Sequence, residues 1–158
     1  MRVSQQALSS LPFHAATGIT LVRLDPTVQM SMPVNDAVRG LGAPLHGGAI
    51  ATLIDVAAGM AAATKADSYN PLEDGLVTLD MFLQFKGQPR SDVVVVEAVV
   101  IQQIAQLMRI ECLVSDGGGR VIAQAAVSLL ALPGRQKKKG VRITEEVQAA
   151  ADAWVTSA

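Results

Sequence analysis

Leu45-His46-Gly47-Gly48-Ala49-Ile50-Ala51-Thr52-Leu53-Ile54-Asp55 decides the fold. The apolar run continues to Ala66. Ile50, Leu53, Ile54, Ala57 and Ala61 recur at helical spacing, and alanine outnumbers β-branched residues. Pro44 and the Gly47-Gly48 pair punctuate the start, and Lys65 suits the last turn of the helix dipole. The pattern predicts a helix of about 20 residues, about 30 Å long at 1.5 Å per residue. Its opposite face carries Ala51, Asp55, Ala58, Gly59 and Ala62, so it is nearly free of charge and is expected to be buried all round. Asp55 near the centre, the small residues and the weak overall hydrophobicity argue against a membrane span.

Asp55 is the anomaly in this apolar run. An ionised carboxylate in an apolar layer costs several kcal/mol unless it is compensated. Two readings stand side by side: a structural Asp bonded to a nearby hydroxyl or backbone group, or a catalytic base or nucleophile with a raised pKa. Gly47 and Gly48 bear on this. A helix start presents unpaired N–H groups and a positive dipole end, and glycine lets a substrate approach them closely. Such a site suits a polarised carbonyl. Asp55 lies seven residues after Gly48, roughly 10 Å along the axis. Both groups can serve one reaction only if Asp55 comes from a second copy, as in a two-fold dimer with antiparallel central helices.

The run over residues 45–62, with LHGG followed by ATLID, resembles the hotdog-fold acyl-CoA thioesterases of the phenylacetic-acid-degradation, hydroxybenzoyl-CoA thioesterase-like type. The resemblance takes in Leu76-Val77-Thr78-Leu79-Asp80-Met81 and covers roughly residues 12–132. It implies that Gly48 donates to the thioester oxygen and that Asp55 attacks the carbonyl or activates water. It further implies that Thr78 positions that water and that His46 holds the loop. Gly47, Ala58, Gly59 and Ala62 are then expected to leave room for the substrate. No cofactor and no metal are expected. One departure stands out: many relatives carry Asn or Gln six residues before the His, and here that position is Gly40.

The remaining chain agrees with this layout. Its 158 residues fit one domain, residues 1–133, and a tail, residues 134–158. Half the residues are apolar but only 3% are aromatic, so Val, Leu, Ile, Ala and Met must fill the core. The net charge of −1 and the lack of a basic patch with aromatics exclude nucleic acid as a main partner. The single cysteine, Cys112, forms no internal disulfide and reads as a buried hydrophobe. No CxxC or His cluster suggests a metal. The N-terminus lacks a signal-peptide pattern, and a cytoplasmic location is expected.

Residues 5–11 suggest a short helix, followed by Phe13 and His14, read either as a packing Phe and a surface His or as residues lining an acyl pocket. Residues 19–24 and 28–34 read as strands around the Asp25-Pro26 turn. After the long helix, residues 76–85 alternate, placing Val77, Leu79, Met81, Leu83 and Phe85 on one face and Thr78 and Asp80 on the other. Residues 93–101 are almost continuously apolar and are expected to be covered on both faces. Residues 107–114 and 121–132 follow, joined through Asp116-Gly117-Gly118-Gly119. The expected fold is α+β, an antiparallel six-stranded sheet wrapped around one long central helix. Apolar residues on the outer sheet face would stay open in a monomer, so a tetramer of dimers is the favoured assembly. In the tail, Arg135, Lys137, Lys138, Lys139 and Arg142 form a basic cluster that rivals Lys86, Arg90 and Arg109 for coenzyme A phosphates. Residues 147–155 suggest a terminal helix.

The first reading of function is an acyl-CoA thioesterase acting on an aryl or medium-chain acyl group. The second is an acyl-ligand binding protein without turnover, favoured by Gly40. An enoyl-CoA hydratase ranks last, because His46 and Asp55 lie nine positions apart with no second His nearby.

Overall fold

The computed structural model describes residues 8–9, 11–66, 69–71, 73–134, 145, 148–149 and 151–152. A short helix α1 (Pro12–Thr17) leads into β1 (Thr20–Arg23) and β2 (Val28–Pro33). A 3₁₀ turn (Asp36–Val38) precedes the long helix α2 (Gly47–Lys65). Four strands follow: β3 (Gly75–Phe85), β4 (Val93–Ile104), β5 (Leu107–Asp116) and β6 (Val121–Leu132). They form one sheet in the order β1-β2-β4-β5-β6-β3, and every neighbouring pair is antiparallel. The sheet curls around α2, which packs on β2 to β6. This is the hotdog arrangement.

Alternation along the strands builds the core. Val28, Met30 and Met32 of β2, Val94, Val96 and Ala98 of β4, and Met108, Ile110, Cys112 and Val114 of β5 are all buried. They meet Ile50, Leu53, Ile54, Ala57, Ala58, Ala61 and Ala62 of α2. By length and composition α2 could cross a bilayer. Here eight of its residues are buried beneath the sheet instead. It is not buried all round as expected: Asp55 is exposed, and Ala51, Thr52, Val56, Gly59 and Met60 are half-buried along one open side. Nor is β4 covered on both faces, since Glu97, Val99 and Ile101 are open or half-open on the outer side.

Two local departures come from chemistry that periodicity does not report. Pro12 opens α1 rather than ending a helix, because a first-turn proline has no N–H to lose. His14 is accordingly not a surface residue. It is buried at 8% exposure, with Nδ1 donating to the Leu8 carbonyl at 3.0 Å. The second departure is a bulge in β3. Thr78 pairs with Leu129 but Asp80 pairs with Ser128, so Leu79 has no opposite residue. Before the bulge Leu76 packs on the core; after it Met81 and Leu83 do. Thr78 and Phe85 therefore share the helix-facing side of β3, against the expectation that they lie on opposite faces.

The 5–11 helix lies largely outside the described residues, with Leu8 and Ser9 helical. The basic cluster at 135–142 lies outside them. So does most of the 147–155 helix, apart from helical residues 148, 149, 151 and 152.

Candidate functional site

The approach to α2 is held by backbone bonds and two long side chains. Gly40 N–H donates to Pro44 O at 2.8 Å, Ala43 N–H to Gly40 O at 3.1 Å, and His46 N–H to Val38 O at 2.9 Å. The Arg39 guanidinium donates to Ala43 O (2.6 Å) and Val34 O (3.3 Å). Gln88 clamps Leu45 from both sides: its Oε1 accepts Leu45 N–H at 2.8 Å and its Nε2 donates to Leu45 O at 3.3 Å. Nothing in the local pattern Gly87-Gln88-Pro89 marks Gln88 for this work, because its partner lies 43 residues away.

His46 is the N-cap of α2. Its Nδ1 accepts the Gly48 N–H at 2.9 Å, as short polar side chains do at other helix starts. The donor expected to face a substrate, Gly48 N–H, is therefore occupied by the imidazole. Gly47 N–H takes no acceptor among the described residues. The open donor at the helix start is thus one residue earlier than the sequence suggested. Gly47 is flanked by the Phe85 ring, which a Cβ at Gly47 would meet at 3.2 Å.

Asp55 lies on the open side of α2, and Thr78 Oγ1 donates to its Oδ1 at 2.7 Å. The β3 bulge brings these two together by turning Thr78 toward the helix. One carboxylate oxygen is thus held by a hydroxyl, and Oδ2 has no partner among the described residues. Cys112 lies within the electrostatic reach of Asp55. Burial, and secondarily the Asp55 charge, push its thiol up to about 12. It stays protonated at neutral pH and serves as packing.

Gly59, one turn beyond Asp55, opens into free space: a Cβ there would meet nothing within 4 Å. Beside it lies a largely apolar cavity of about 300 Å³, lined among others by Leu11, His14, Val56, Met60, Tyr69 and Leu76. Ala58 and Ala62, expected to border the substrate, are fully buried against the sheet and line no open space. Asp80, two residues beyond Thr78 on β3, sits on the outer sheet face, where it accepts from Ser128 (3.0 Å) and Arg109 (3.4 Å). Arg109 is thereby removed from the helix side, whereas Lys86 and Arg90 remain exposed beyond the end of β3. Among the described residues no group of three or more His, Cys, Asp or Glu could hold a metal ion.

Within one chain the two halves of the site do not meet. Gly47 and Asp55 are eight residues apart on one helix, about 12 Å along its axis.

A six-stranded antiparallel sheet around one helix, with a free N–H at the helix start and a hydroxyl-bonded carboxylate two turns on, defines the class. The family model described as the thioesterase superfamily matches residues 44–123, half of the 158-residue chain, and the chain belongs to that family. Solved structures share the fold. A thioesterase from Haemophilus influenzae superposes with a TM-score of 0.76 at 16% identity, over 89% of this chain and 96% of that one. A mutant thioesterase from Pseudomonas aeruginosa gives 0.76 at 21%, over 84% and 95%. A Bacillus halodurans protein solved with CoA gives 0.59 at 22%, over 66% of each chain. No curated protein matches the chain significantly.

Proposed function

We propose that this protein hydrolyses acyl-CoA thioesters carrying an aryl or medium-chain acyl group, through two active sites shared between the subunits of a homodimer. The observation that carries the reading is the 2.7 Å bond from Thr78 to Asp55, on the open side of α2 and one turn from an apolar cavity. A neighbour of the same fold solved with CoA supports the choice of thioester.

In this reading the substrate carbonyl rests on the Gly47 N–H of one copy, at the positive end of the helix dipole. Asp55 of the other copy holds a water through Oδ2 while Thr78 holds Oδ1. The carboxylate takes a proton as the water oxygen bonds to the carbonyl carbon. The tetrahedral oxyanion then collapses, the C–S bond breaks, and the proton returns from Asp55 to the departing sulfur. The products are the free acid and CoA. Direct attack by Asp55, giving a mixed anhydride that water opens, balances equally well. In this reading the cavity beside Gly59 receives the acyl group, and Lys86 and Arg90, exposed beyond the end of β3, meet the coenzyme A phosphates.

The free edge of β3 suits the partner copy. It is an 11-residue edge strand with Val77 at 43%, Leu79 at 54% and Phe85 at 57% exposure, the kind of edge that another chain completes. Two dimers would then pack through the outer sheet face, where Phe82, Val99, Ile101 and Leu113 are exposed.

The test is thiol release from a panel of acyl-CoAs by the wild type and by Asp55→Asn. Wild-type turnover of aryl or medium-chain thioesters, with a loss of at least about a hundredfold in Asp55→Asn, is the expected result. A folded wild type that binds acyl-CoA and releases nothing would favour the second reading, an acyl-ligand binding protein. The absence of an amide side chain at Gly40 is what supports that alternative.

A further inference from the structure

We infer that the His46 imidazole supplies a second hydrogen bond to the thioester oxygen, through Nε2–H, in space that Gly40 leaves open. The inference rests on the thioesterase reading above and adds a catalytic group to it.

The tautomer follows from the cap. Nδ1 accepts the Gly48 N–H at 2.9 Å, and an imidazole that accepts at one nitrogen carries its proton on the other. Nε2 is therefore a donor, and it has no acceptor among the described residues. The ring is not free to wander. Its backbone N–H is tied to Val38 O (2.9 Å), and its carbonyl accepts from Ala49 (2.9 Å) and Ile50 (3.3 Å). With Nδ1 also engaged, the residue is held at several points while its side chain remains exposed.

Gly40 explains why the ring edge is bare. A Cβ at Gly40 would stand 3.3 Å from Cδ2, the carbon bonded to Nε2. Any longer side chain at position 40 would spread over that edge. The backbone does not require glycine here: left-handed φ values occur at Gly42 and Ala43, not at Gly40. What glycine provides is access to Nε2. The start of α2 thus presents two unoccupied donors on adjacent residues, Gly47 N–H and His46 Nε2–H. Two preset donors are what a developing oxyanion gains most from in a site closed to water.

The experiment compares kcat and KM for thioester hydrolysis in wild type, His46→Ala, His46→Ser, Gly40→Asn with His46→Ala, and Gly40→Asn with His46→Ser, with thermal melts alongside. The serine variant keeps a capping oxygen for Gly48, so it carries the test if the alanine variant folds poorly. The expected result is a fall of about a hundredfold in kcat for either single variant, with a much smaller change in KM. The amide at position 40 should restore at least tenfold in either double variant. A purely structural cap six residues away would not be rescued this way. A kcat within about twofold of wild type in a folded single variant overturns the inference. Double variants no faster than their parents overturn it equally. If the wild type itself releases no thiol from any acyl-CoA, the thioesterase reading has failed and this inference falls with it.

Discussion

Gly47 and Gly48 look interchangeable in sequence, yet one intrachain bond separates them. Because His46 occupies the Gly48 N–H, the donor left open among the described residues is Gly47 N–H, which the proposed mechanism uses. Gly47 is also the first residue of α2, where proline is tolerated, and His46 has the extended backbone that precedes proline readily. Gly47→Pro should therefore delete the N–H while leaving the helix intact. The Phe85 ring, 3.2 Å from the added Cβ, must give by a few tenths of an ångström to admit it. We expect kcat to fall by about a hundredfold or more, with the far-UV circular dichroism unchanged. Activity close to wild type would place the oxyanion elsewhere. His14 gives a prediction about stability. Burial lowers its pKa from the ordinary 6.5, outweighing the bond to Leu8. The unfolded chain thus binds this proton more readily than the folded one. The contribution is complete above pH 6.5 and is lost as the pH falls below it. Thermal melts of the wild type should drop more between pH 7.5 and 5.5 than those of His14→Gln; parallel curves would contradict this.

At the scale of elements, α2 was legible because its apolar spacing, its glycine start and its lysine end all agree. The strands were legible from alternation and turn residues, and the number and order of elements followed from them. The bulge at Leu79 was not legible. It is set by pairing with β6, and no local feature of Leu76-Val77-Thr78-Leu79-Asp80 announces it. That single extra residue decides whether Thr78 faces Asp55 or the outer surface. The sequence placed Thr78 in the site by resemblance while its alternation placed it away from Met81. The bulge turns Thr78 to the Asp55 side in spite of that alternation. Ala58 and Ala62 failed as pocket residues for a related reason. Smallness in a helix serves close packing on a sheet as readily as it serves a ligand, and only Gly59 faces open space. Gly59→Leu should raise the melting temperature, since glycine costs a helix about 1 kcal/mol and the new side chain meets no obstacle at Cβ. It should also raise KM for aryl and medium-chain acyl-CoAs more than for acetyl-CoA. An equal effect on all chain lengths would remove Gly59 from the acyl pocket.

Over the whole molecule, the separation of Gly47 from Asp55 on one helix is the observation on which the proposed dimer rests. Helical rise alone separates Gly48 from Asp55 in the sequence, and with Gly47 as the open donor the two groups on α2 stand one residue further apart. In the proposed dimer, a second copy along the β3 edge would bring the missing half to each site. Subunit complementation tests whether each site is made by two copies. Gly47→Pro and Asp55→Asn should each be nearly inactive. Unfolded together and refolded as a mixture, they should regain about one quarter of wild-type thiol release, because half the dimers are mixed and each mixed dimer holds one intact site. A mixture that contains mixed dimers by mass spectrometry yet stays at the level of the single variants would confine the site to one chain and contradict the account.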